Sequence, residues 1–136
     1  MEWKGILQYK LVDKLVVPVN DIVEWAKWFE KANRHVGITS VGPLTVSTVF
    51  LGIDHGWGKK SKFFETMIFG DQDQLVDFGN DHKRLISSDL DYQERYETWA
   101  EAEEGHKRAC QWARDYLDKL NLTLSQKESW DANAQE

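Results

Sequence analysis

The chain has 136 residues, 41% hydrophobic and 29% charged, with a formal net charge of −6, the make-up of one compact globular domain, which excludes global disorder. The acidic balance speaks against direct nucleic-acid binding, which needs lysine and arginine to replace counterions, and a single cysteine, Cys110, excludes an intrachain disulfide and a multi-cysteine zinc site. No signal-peptide pattern opens the chain and no apolar run approaches a membrane span, so the expected location is the cytoplasm, with no membrane partner.

In chain order, residues 6–11 and 15–17 flank Val12-Asp13-Lys14 and predict a hairpin, which Pro18 is expected to end. Asn20 or Asp21 can cap a helix running to about Asn33, Glu24 three residues after Asp21 completing a capping-box pattern. Its stripe, Ile22, Trp25, Ala26, Phe29 and Ala32, is widened by Trp28 and suits packing on a sheet. Strands are predicted at 36–40, 45–53 and 63–69, the first two split by the turn signal Gly42-Pro43, and they read as a meander. Residues 71–91 are polar and aperiodic and read as a long mobile insertion. Residues 92–97 suit a short strand with Arg95 and Tyr96 on opposite faces.

Thr98 and Glu101 form a second capping box, and Trp99, Ala102, His106, Ala109, Ala113, Tyr116, Leu117 and Leu120 share one helical face. Residues 121–136 are mostly polar and are expected to fray as a C-terminal tail. The fold class is therefore α+β: one domain over residues 1–120, a small antiparallel sheet with two amphipathic helices packed on one face. Seven tryptophans are more than such a domain needs; most fall in periodic segments, which favours an aromatic core over ligand platforms.

Two clusters could carry chemistry. The apolar blocks 45–55 and 63–70 hold Asp54, His55 and Glu65, and carboxylates seldom enter such strands without a reason. Strand alternation puts Glu65 with Phe63, Met67 and Phe69, and Thr66 with Phe64 and Ile68. Register decides whether Asp54 or His55 lies beside Glu65. With His106 covering the same face, Asp54 or His55, together with Glu65 and His106, would form a general acid–base or divalent-metal cluster. No compact metal motif supports this, and the metal and cofactor stay unnamed. The plainer reading makes His106 a satisfied core residue, His55 a loop residue and Glu65 a partner of Arg95.

The second cluster is the loop Gly56-Trp57-Gly58-Lys59-Lys60-Ser61-Lys62, basic in an acidic chain. Glycine-freed N–H groups, Lys59 and Lys60 suit an anion, Trp57 could stack on a base, and Arg95, Tyr96 and Trp99 could complete the wall. A solvated hairpin tip is the plainer reading. Gly105, in mid-helix, suggests close approach of another element, and Cys110 reads as a small hydrophobe.

The blocks VSTVFLGIDHGWG, FETMIFG and ERYETWAEAEEGH, preceded by VVPV-x-D-x-x-EWAKWFE, resemble an uncharacterised family of small proteins from phage genomes and bacterial mobile elements. The likeness covers residues 15–106, and the 71–91 insertion is longer than that family leads one to expect. The resemblance implies a phage-type accessory protein acting on host machinery or host defence, and assigns no residue a role.

Three functions follow. The first is binding of a small anionic, nucleotide-like ligand without turnover, in a counter-defence role, through Trp57, Lys59, Lys60, Arg95, Tyr96 and Trp99. The second is a metal-assisted or acid–base hydrolase using Asp54, His55, Glu65 and His106. The third is an acidic inhibitor of a host protein, and a tryptophan-rich face would suit a homodimer in any of them.

Overall fold

The computed structural model describes residues 8–70 and 90–134, with the stretch from 121 onward described as backbone. The expected insertion at 71–91 therefore lies, but for its last two residues, outside the described part. The architecture is α+β. Strands β1 (Gln8–Val12) and β2 (Leu15–Val19) form an antiparallel hairpin, and β3 (His35–Val41), β4 (Leu44–Phe50), β5 (Phe64–Gly70) and β6 (Gln93–Tyr96) form a four-stranded antiparallel sheet in the order β3-β4-β5-β6. Helix α1 (Ile22–Lys31) follows the hairpin, and helix α2 (Trp99–Ala134) packs across all four strands of the larger sheet.

The hairpin turns at Asp13 and Lys14, both with positive φ, the conformation of a two-residue turn whose twist matches its strands. Pro18 does not end the ladder. It lies inside β2 opposite Tyr9, a position an edge strand tolerates because proline's missing N–H can face away from its neighbour. Asp21 caps α1 by accepting from Val23 N at 2.9 Å and Glu24 N at 3.3 Å. The helix stops at Lys31, two residues short of expectation, and of its stripe Trp25, Trp28, Phe29 and Ala32 are half-buried while Ile22 and Ala26 are exposed. The half-buried rings close the hairpin onto one end of the larger sheet: Trp28 meets Phe50 edge-on, Trp25 Nε1 donates to Tyr9 O, and Trp25 and Phe29 lie against Gly52.

In β4 and β5 the alternation is strict: Leu44, Val46, Thr48 and Phe50, and opposite them Phe64, Thr66 and Ile68, are buried. They face α2, which contributes Ala102, Ala109, Cys110, Ala113 and Leu120. Small side chains at these helix positions let backbone and sheet approach closely. Among the described residues the core has two main apolar clusters and a small third one around Leu120 at the far end. Of the main two, one gathers Leu44, Val46, Ile68, Ala109, Cys110 and Ala113, and the other Phe50, Phe63, Phe64, Tyr96 and Ala102. The thiol of Cys110 is free and 6% exposed.

Helix α2 does not fray at residue 121 but runs on to Ala134. No glycine or proline follows Gly105, so nothing in the backbone chemistry stops the helix where the apolar stripe ends. Among the described residues no helix is long and apolar enough to cross a membrane.

Candidate functional site

Between the two apolar clusters lies a polar layer. Thr48 and Thr66 are register partners on β4 and β5, both fully buried, with their hydroxyl oxygens 2.5 Å apart. His106, reaching down from α2, places Nδ1 2.7 Å from Thr48 Oγ1 and Nε2 2.9 Å from Thr39 Oγ1 on β3. On the far side the Tyr96 hydroxyl donates to Thr66 Oγ1 at 3.1 Å. One direction of donation satisfies the whole chain: Tyr96 to Thr66, Thr66 to Thr48, Thr48 to His106 Nδ1, and His106 Nε2–H to Thr39. That order requires a neutral imidazole. Burial, by disfavouring the charged form, holds the His106 pKa below its ordinary 6.5. Burial likewise pushes the Tyr96 phenol up to about 12, against the hydrogen bond to Thr66.

Two glycines make room for this layer. A Cβ on Gly37 would come within 2.9 Å of His106 Nε2, and one on Gly105 would overlap the Tyr96 ring. The mid-helix glycine thus marks a close approach, as its cost in a helix suggests.

The solvent side of His106 opens into a cleft of about 350 Å³ lined by Lys14, Val36, Trp99, Glu103, His106 and Lys107, at the small end of the range for ligand sites. Four of these come from α2, at helical spacings that place them on one face. Trp99 Nε1 donates to Glu103, its ring meets Phe64 edge-on, and Lys14 Nζ stands 5.5 Å from its centroid. Lys107 is paired with Glu104 at 3.4 Å on the exposed surface. Lys14 and Lys107 are both exposed cations, each engaged among the described residues by a weak surface contact.

The structure separates the residues first grouped as a catalytic cluster. Glu65 faces away from α2, opposite Val49, where it accepts from Arg95 Nε at 2.8 Å and Gln93 Nε2 at 2.6 Å. His106 lies on the other face, because α2 covers the Thr66 side of the sheet. Asp54 belongs to the loop after β4: its carboxylate accepts from Gly56 N at 2.8 Å and Lys62 N at 2.9 Å. Burial works against its ionised form, but the bonds from Lys62, Gly56 and Ser61 outweigh it and hold the pKa below the usual carboxylate value. His55 joins the same loop through its backbone N–H to Lys62 O. Among the described residues no group of three or more histidine, cysteine, aspartate or glutamate side chains is placed to hold a metal ion.

The second set is divided too. Trp57, Lys59 and Lys60 stand exposed at the loop tip, Arg95 is committed to Glu65, and Tyr96 is buried beneath α2. Only Trp99 lines the cleft, where it meets His106 of the first set. Lys14, Lys107, Thr39, Thr48 and Thr66 were not anticipated. A signal for Thr48 and Thr66 was present: each interrupts an inward-facing row that is otherwise apolar. No protein-family model, curated protein or solved structure matches the chain.

Proposed function

We propose that the protein binds a small anionic ligand with a planar, nucleotide-like ring in the cleft above His106, without turning it over. The observation that carries this reading is the convergence of one indole face, two lysines and a neutral imidazole on one concave surface. A planar ring would stack on Trp99 in place of the Lys14 ammonium, and the displaced Lys14 with Lys107 would pair the anion. Both imidazole nitrogens are already engaged by hydroxyls, so His106 shapes the floor and leaves no free base for chemistry, which favours holding a ligand over cleaving it. The proposal includes the counter-defence role that the phage-type resemblance implies: a signalling nucleotide held in the cleft is withdrawn from its receptor.

Isothermal titration with linear and cyclic adenine and guanine nucleotides, with inorganic phosphate as the ring-free control, tests it. The expected result is ring-dependent binding that Trp99→Ala weakens about tenfold or more, that Lys107→Glu also weakens, and after which the nucleotide mass is unchanged. No binding by any nucleotide, or wild-type affinity in Trp99→Ala, would remove the cleft from consideration.

A further inference from the structure

Trp57 stands apart from the other described tryptophans. It is 85% exposed, whereas Trp25, Trp28, Trp99 and Trp112 are half-buried against other rings. Its backbone has a φ of +53°, a left-handed conformation that disfavours any side chain. The loop holds it there: Asp54 accepts from Gly56 and Lys62, Lys59 N donates to Gly56 O at 3.1 Å, and His55 N donates to Lys62 O at 2.9 Å. A turn tied at both ends fixes the backbone from which the indole projects, which lowers the ordering cost of docking.

Lys60 Nζ lies 3.9 Å from Glu101 Oε1, so the tip stands beside the first turn of α2. On that turn is a depression of about 460 Å³ whose walls include Tyr96, Ala100, Glu101, Glu104 and Arg108. Knob and hollow are therefore neighbours on one chain. We infer that this region is a two-fold interface in which Trp57 of each chain enters the depression of a second copy. An isologous contact needs both complementary parts on the same patch, and it closes after two chains. The charges agree: the arginines of the depression are paired within the chain, Arg95 to Glu65 and Arg108 to Glu94, while Glu101 and Glu104 make only exposed contacts to Lys60 and Lys107. This leaves two acids for Lys59 and Lys62 of a second copy, whereas most other pairings of a chain with net charge −6 set like charges together. An anionic lipid surface or a phosphate backbone would meet those same glutamates and be repelled. The inference is independent of the ligand reading.

Sedimentation equilibrium across a concentration series tests it. The wild-type chain dimerises, and Trp57→Gly, which relieves the positive φ, weakens the dimer about thirtyfold or more while leaving the thermal midpoint of the dilute monomer unchanged or raised. Glu104→Lys also weakens the dimer, and adding Lys59→Glu restores it. A monomer at every concentration overturns the inference, as does a dimer that Trp57→Gly leaves intact or a charge exchange that fails to restore association. Binding of a monomeric chain to phosphatidylserine vesicles would overturn it in favour of a lipid surface.

Discussion

The two ends of the core under α2 are built alike, and the strip between them is built differently. Toward Leu44 and Ile68 the sheet meets Ala109 and Ala113, and toward Phe50 and Phe64 it meets Ala102, with apolar groups against small side chains in both places. Between them the same strands carry Thr48 and Thr66, and the same helix carries Gly105 and His106. An apolar layer tolerates exchange of one hydrocarbon for another of similar volume. A layer of hydroxyls and imidazole does not, because each member is the partner that keeps its neighbours from being buried unsatisfied. The difference teaches that the ends hold the helix on the sheet, while the strip fixes its register and fixes the imidazole under the cleft.

The largest expected effect comes from filling the strip. Gly105→Ala drives a methyl into the Tyr96 ring, and neither helix backbone nor fully packed ring can give way, so a loss of about 3 kcal/mol is expected. It would appear as a lower denaturant midpoint at unchanged m-value, although alanine is the better helix former. An unaltered midpoint would mean that the strip is no tighter than the ends.

A reciprocal exchange sharpens the contrast further. Thr48→Val strands His106 Nδ1 and Thr66, and Val46→Thr buries a hydroxyl among hydrocarbon two residues away on the same face. Each should cost about 1–3 kcal/mol, measured by the same denaturation. Two neutral outcomes would show that the layers are interchangeable.

The smallest effect is a pH response confined to the strip. Burial holds His106 neutral in the native state, with its pKa below 6.5. As pH falls below 6.5 the unfolded chain takes up the proton first, so stability declines until the folded imidazole itself titrates. Denaturation midpoints at neutral and mildly acidic pH should show this fall, and His106→Gln should flatten it. A slope that survives the substitution would place its origin elsewhere.

What the sequence made legible follows from periodicity. The alternation in β4 and β5, the N-caps at Asp21 and Thr98, the α2 stripe and the close approach at Gly105 were each written in local spacing. Alternation also put Glu65 and Thr66 on opposite faces, but it carries no information on which face a helix will cover, and that choice decided whether His106 met a carboxylate or hydroxyls. Asp54 reads like a strand-end carboxylate until Gly52, with its φ of +78°, has turned the chain into a loop whose N–H groups the carboxylate collects. The cleft was out of reach for another reason. Lys14 and Trp99 are brought together by a hairpin docking on a helix more than eighty residues later, and no local pattern records such a contact.

One consequence of the fold concerns Cys110. It is the chain's only cysteine and is sealed between α2 and β4–β5. A thiol reagent can reach it only when the helix lifts from the sheet, so the labelling rate under native conditions reads the free energy of that one opening. The chain thus carries its own gauge for how firmly the helix above the sheet is held, and no residue need be altered to use it.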